Sequence, residues 1–153
     1  MNASVRVAES VDSKDIARLL HAFNVEYGDD TPGPEALALR IEKLLVEGDT
    51  AVLLAGDGPD GVAVLRFRLS IWTQGFECYL AELYVAPEHR GRGLGRALMT
   101  AAIRLARERG ADYMDLNTAE TDVAARHLYE SLGFSRSDHK PSGPVNFYYE
   151  REL

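Results

Sequence analysis

The stretch "LYVAPEHRGRGLGRALM", residues 83–99, constrains the fold more than any other part of the chain. An apolar run ends at Pro87, which has no N–H to give to a sheet ladder. Gly91, Gly93 and Gly95 then alternate with Arg90, Arg92 and Arg96 around Leu94. Behind them Ala97, Leu98, Ala101, Ala102 and Leu105 recur at helical spacing. A strand that becomes a helix through glycines belongs to an α/β domain. The first N–H groups of a helix lack partners and carry the positive end of its dipole. Glycines let successive N–H groups converge on one anion, and arginines add permanent charge. The junction therefore asks for a phosphate, a pyrophosphate above all. A P-loop is excluded, because Gly95 is followed by Arg-Ala and not by Lys and Ser/Thr. A Rossmann fingerprint is excluded too, because its last glycine would fall on Arg96.

Around this junction the periodicities predict a strand over 4–9, then a helix that Asp12 caps and that ends near Gly28. A loop dense in acidic and turn residues covers 28–34, and a second helix runs from about 35 to 47. Strands follow over 50–56, 62–72 and 78–86, with turns at 56–61 and 72–77. The helix after the glycines spans about 93–109, a strand 111–118 and a short helix about 122–132, closed by Gly133. A strand from Phe134 and a terminal strand over 145–153 complete the order β-α-α-β-β-β-α-β-α-β-β, a mixed sheet in one domain over residues 1–153.

The chain of 153 residues is long enough to bury about 70% of its unfolded surface without a staple. Its net charge of −7 argues against nucleic acid or an anionic membrane as a partner. The one cysteine, Cys78, allows no internal disulfide, and the opening residues lack the apolar region of a signal peptide. No apolar run reaches the ~18 residues of a membrane span, so a cytoplasmic protein is expected. His21, His89, His127 and His139 have no metal-ligand spacing, so no metal is expected, and His89 and His127 read as solvated.

The segment Arg90-Gly91-Arg92-Gly93-Leu94-Gly95 resembles the R/Q-x-x-G-x-G/A signature of the GNAT N-acetyltransferase superfamily. Ala125-Arg126-His127-Leu128-Tyr129-Glu130-Ser131-Leu132-Gly133-Phe134 is similar to its A-x-x-L-Y-x-x-x-G-F segment, and Glu82 to Pro87 to the strand before its CoA loop. The resemblance implies a mixed, mostly antiparallel central sheet flanked by about four helices, with acetyl-CoA as cosubstrate. It implies that the main chain of Leu83, Tyr84 and Val85 pairs with the pantetheine arm. The N–H groups from Gly91 to Arg96 would hold the pyrophosphate, and Tyr129 would lie beside the sulfur. Asp122 stands where the family often has Asn, seven residues before that tyrosine. A carboxylate cannot donate there, though it can cap the helix. Asn117 is a further polar candidate near the cofactor, and Arg126 shares a helix face with Asp122 and Tyr129.

Acetyl transfer to an amine needs a neutral amine, a stabilised oxyanion and a protonated leaving sulfur. Tyr129 suits the last task, since a phenol keeps its proton at neutral pH; packing is the alternative. Glu82, on an apolar strand, suits the first as a base. It can equally bind a cationic substrate or pair with Arg66 or Arg68. Main-chain N–H groups near Val85 would stabilise the oxyanion, by resemblance. Glu26, Asp29 and Asp30 lie in and beside the loop that borders the acceptor site in GNAT folds. With Glu82 and the net charge they suggest a small cationic amine, and the Glu82 strand resembles that of polyamine acetyltransferases. Trp72 and Phe76 flank a hairpin tip and would line a pocket or a homodimer contact. A protein or peptide amine as acceptor, or CoA binding without catalysis, are the other functions this pattern allows.

Overall fold

A β-bulge in the fourth strand decides which side chains this sheet presents to each of its two helical layers. The computed structural model describes residues 4–138, 140 and 142–153, and His139 lies outside them. Strands β1 (Val5–Val7), β2 (Thr50–Ala55), β3 (Gly61–Leu69), β4 (Phe76–Val85) and β5 (Ala111–Asp115) form one sheet in sequence order. The first four pair antiparallel. Helices α1 (Ser13–Tyr27) and α2 (Pro34–Glu47) precede β2, α3 (Leu94–Glu108) joins β4 to β5, and α4 (Val123–Ser131) follows. This is the mixed, mostly antiparallel sheet with four helices that the sequence predicts.

Val52, Leu54, Val62, Val64 and Tyr84 share one buried cluster with Ile16, Ala17 and Leu19 of α1 and Ile41 of α2. On the other face Leu98 of α3 comes within 3.1 Å of where a Cβ on Gly61 would stand. Leu65 faces the same way as Gly61, because side chains alternate along β3. Opposite β3, Val64 pairs with Glu82, but Leu65 pairs with Leu80. Ala81 is therefore the extra residue of a bulge, and it reverses the alternation of β4. Before it, Cys78 and Leu80 share the α3 face with Leu65. After it, Glu82 and Tyr84 share the face of Val62 and Val64 and look towards α1 and α2.

Phe76 N–H donates to the Gly110 carbonyl at 3.1 Å, so β4 and β5 start side by side. Joined by a crossover helix, they run parallel. β5 has five residues and β4 has ten, so β5 flanks only the first half of its neighbour.

Several expectations are corrected. Asp12 stands at the start of α1 but makes no side-chain cap there. It accepts from Glu9 N–H at 2.8 Å and from both terminal nitrogens of Arg6 at 2.8 Å, bracing the short 3-10 turn Ser10–Asp12. β3 ends at Leu69 and not near Trp72, because Ser70 Oγ accepts from Trp72 and Thr73 N–H and turns the chain early. His89 is not simply solvated: its Nε2 lies 3.3 Å from Asp60 Oδ1. Among the described residues no strand follows α4. Residues 145–153 alternate, yet Phe147, Tyr148 and Tyr149 are all exposed, so no face of the segment is buried. Asn146 N–H donates to the Arg136 carbonyl at 2.8 Å, but the segment takes no strand conformation among the described residues.

The chain divides into two compact units, one up to Met114 and one from Asp115 onward. In the second, Asp122 caps α4 by accepting from Ala125 N–H at 3.3 Å.

The Arg6 hydrogen bonds, then that of Glu9 N–H, hold the Asp12 carboxyl down at about 2. A carboxyl depressed by folding stabilises above its unfolded pKa and loses that contribution as pH falls through the folded one. Arg6 is half exposed, so the pair is worth about 1 kcal/mol, or roughly 2–4 °C of melting temperature. Asp12→Asn is expected to melt lower by that amount at neutral pH. The gap should close between pH 3.8 and about 2 in a melting series.

Candidate active site

The residues singled out by sequence fall in two groups, one in each unit. In the first unit the bulge brings Glu82 and Tyr84 to the face that α1 covers. Phe23 of α1 stacks on the Tyr84 ring with centroids 4.9 Å apart. One helical turn later, Glu26 Oε1 accepts from Tyr84 OH at 3.0 Å and from the Arg90 guanidinium at 2.8 Å. Arg90 also lies over the Tyr84 ring, 5.5 Å from its centre. α1 ends at Gly28, whose φ of 74° only glycine adopts readily.

The loop that follows is tied back to α1. Asn24 Nδ2 donates to the Asp30 carbonyl at 2.8 Å, Asp29 N–H to the Asn24 carbonyl at 2.9 Å, and His21 Nδ1 meets Thr31 Oγ1 at 3.0 Å. This holds Asp29 close enough to Glu82 to act on it. Partial desolvation, and then repulsion from Asp29, raise the Glu82 carboxyl above the ordinary range. Glu82 is solvent-facing all the same, so a ligand can reach it. Of its expected alternative partners, Arg68 pairs instead with Glu77 at 2.6 Å.

Past the reach of β5, no strand among the described residues pairs with the outer edge of β4. Ala86 N–H donates to the Asp60 carbonyl at 2.8 Å, on the β3 side. A trans peptide sets its C=O opposite its N–H, so the Val85 carbonyl points outward. By strand alternation Leu83 and Val85 present N–H and C=O to this edge, while those of Tyr84 turn to β3. The ring and hydroxyl of Tyr84 meet Phe23, Glu26 and Arg90, contacts the sequence did not suggest.

Four residues past Ala86 the glycine loop begins. Gly91 and Gly93 have φ of 74° and 83°, and nothing lies within 4 Å of a Cβ built on either. Leu94 is buried and anchors α3, while Gly91, Arg92 and Gly93 are exposed in front of it. The first ladder bond runs from Ala97 N–H to the Gly93 carbonyl, 3.0 Å, so Leu94 and Gly95 offer N–H groups ahead of the ladder. An exposed positive-φ cradle at a helix start, next to an open strand edge with outward amides, fits a long amide-bearing ligand ending in a pyrophosphate.

Trp72 is not brought to this group. It is 87% exposed in the β3–β4 turn, and Phe76 to Glu82 alone is about 20 Å of strand. In the second unit Tyr129 is buried, edge-on to Phe134 with ring centres 6.1 Å apart. Burial, helped by the nearby Asp122 charge, pushes its phenol up to about 12. Arg126 donates to the Glu120 carbonyl at 2.9 Å. Asn117 lies in the segment between β5 and α4.

The acetyltransferase (GNAT) family matches residues 15–134. The chain belongs to that family. A crystal structure from Arthrobacter sp. FB24, named only as a candidate acetyltransferase, is 43% identical over 98% of this chain and 96% of that one, with a TM-score of 0.89. The streptothricin acetyltransferase of Streptomyces lavendulae is 38% identical over 56% of this chain and 44% of its own length. The mycothiol acetyltransferase of Stackebrandtia nassauensis is 34% identical over 88% of this chain and 45% of its own. The chain thus spans less than half the length of these curated relatives. No helix among the described residues is long and apolar enough to cross a membrane.

At Gly93 a side chain meets nothing in the protein but must adopt a positive φ, at about 1–2 kcal/mol. Gly93→Val is expected to fold with a melting temperature a few degrees lower. Calorimetric titration should find its CoA affinity down more than tenfold, because the cradle closes.

Proposed function

We propose that this protein is an acetyl-CoA-dependent N-acetyltransferase. It moves the acetyl group to a primary amine of a small, cationic molecule by direct attack in a ternary complex. The observation that carries this is the strand-free outer edge of β4 beyond β5, leading within a few residues into the positive-φ glycine cradle at the start of α3. Acetyl-CoA supplies the acetyl group as a thioester. Leu83 and Val85 would align its arm along β4, and the N–H groups of the Gly91–Arg96 loop would hold its pyrophosphate. The N–H groups at that edge are also the donors available to an oxyanion.

Glu82 takes the proton of the incoming ammonium, directly or through one water. A carboxyl raised by desolvation and by Asp29 is a stronger base than an ordinary one. The same pair of carboxylates, with Asp30 on the adjoining loop, favours a cationic acceptor over an anionic one. Tyr129 is assigned the proton that the leaving thiolate takes up. A phenol raised to about 12 carries that proton at any working pH. The nitrogen gives up two protons in all: the first goes to Glu82 before attack and on to solvent, and the second leaves as the N–C bond forms and the C–S bond breaks, replacing through water the proton that Tyr129 gives to sulfur. Polyamines and basic amine antibiotics are the acceptors to try first, since streptothricin acetyltransferase is among the relatives.

An amine panel with acetyl-CoA, followed by thiol release and by product mass, tests the activity. Transfer to at least one cationic amine is expected, and release of thiol only by hydrolysis would refute it. Glu82→Gln should bind CoA normally and turn over slowly. Its deficit should be largest near neutrality, where the amine is protonated, and should shrink towards pH 10. An unchanged rate and pH profile would make Glu82 structural. Tyr129→Phe should lower kcat about 10²–10⁴-fold, some 3–5 kcal/mol of barrier, with little change in the Kd of CoA. A wild-type kcat would remove the phenol from the reaction.

A further inference from the structure

Among the loop arginines, Arg90 is turned away from the cradle. Its Nε donates to the Val85 carbonyl at 2.9 Å, and its terminal nitrogen pairs with Glu26 at 2.8 Å. The guanidinium also rests on the Tyr84 ring. These contacts point it at the strand edge and at α1, not along the N–H groups of Leu94 and Gly95. The Val85 carbonyl is the outward acceptor at the end of β4, where an amide laid along the open edge would place its N–H.

We propose that Arg90 is a built-in placeholder on the outer edge of β4, competing with the amide arm of the ligand for the Val85 carbonyl and so working against binding. This rests on the acetyl-CoA reading of the site. It reverses the role of phosphate ligand that the charge of Arg90 suggests. Arg90 is then a positioning residue. It keeps the Val85 carbonyl occupied and the Glu26 carboxylate fixed, and the arm displaces its Nε while the pair with Glu26 can persist.

The test is calorimetric titration with two probes. CoA carries the pantetheine arm. 3′-Phospho-ADP keeps the nucleotide and pyrophosphate and lacks the arm. Arg90→Met removes both contacts; Arg90→Lys keeps a cation for Glu26 but cannot serve Val85 as well, and covers the case in which the first variant folds poorly. Removing the competitor should tighten CoA about two- to tenfold, the worth of one net hydrogen bond, in either variant. The affinity for 3′-phospho-ADP should stay within twofold. Weaker binding of both probes would make Arg90 a phosphate ligand and overturn the proposal. Unchanged binding of both, with only a lower melting temperature, would overturn it as well and leave Arg90 a structural brace. If the wild-type protein binds neither probe, the acetyl-CoA reading itself fails, an outcome separate from the other two.

Discussion

One extra residue in β4 sets the layout on which the rest of the first unit depends. A strand in perfect alternation would send Glu82 and Tyr84 to the same face as Cys78 and Leu80, into the layer under α3. There a carboxylate would be buried among apolar side chains at a cost of several kcal/mol. The Ala81 bulge reverses the phase in mid-strand. The first half of β4 fills the α3 core with a cysteine and a leucine, and the second half offers a carboxylate and a phenol to α1. The same strand also changes neighbours at about this point. β5 covers its first half, and no strand among the described residues covers its second half on that side, beside the glycine loop.

Charge is distributed to match. The cradle at α3 gathers partial positive charge from backbone N–H groups in front of a buried Leu94 anchor. On the other side of β4, Glu26 Oε1 accepts from both Tyr84 and Arg90, whereas Asp29 and Glu82 repel one another. Holding two like charges close is unfavourable in the isolated protein and becomes favourable when a cation enters. The side-chain and main-chain ties of the 28–33 loop to Asn24 and His21 keep Asp29 in place against that repulsion. Backbone N–H groups and a pair of carboxylates thus lie on the two sides of one strand end, the arrangement on which the proposed function rests.

Much of this was legible in the sequence, and the exceptions have identifiable causes. The glycine junction was legible because positive φ, a helix start and a strand stop each leave a residue-type mark, as Gly91, Gly93 and Pro87 do. Glu82 stood out because a carboxylate interrupts an apolar run. The bulge left no such mark: no glycine or proline stands near Ala81, and only the register with β3 reveals it. The side-chain direction of Arg90 was not legible either, since its partner Glu26 is 64 residues away. Asp12 carried a true capping signal but serves the 3-10 turn ahead of α1, because Arg6 across the turn competes for it. The alternating terminal segment forms no strand for a simple reason. Alternation marks what a strand would need, and pairing depends on an edge the sequence does not name.

In the proposed function the end of β4 and the start of α3 together bind CoA. Residue-resolved amide hydrogen exchange, with and without saturating CoA, tests it most directly. The amides of Leu83 and Val85 and those of Gly93 to Gly95 should slow together on binding, while Tyr84, already bonded to β3, should change little. Exchange at Leu83, Val85 and the glycine loop that is indifferent to CoA would contradict the account.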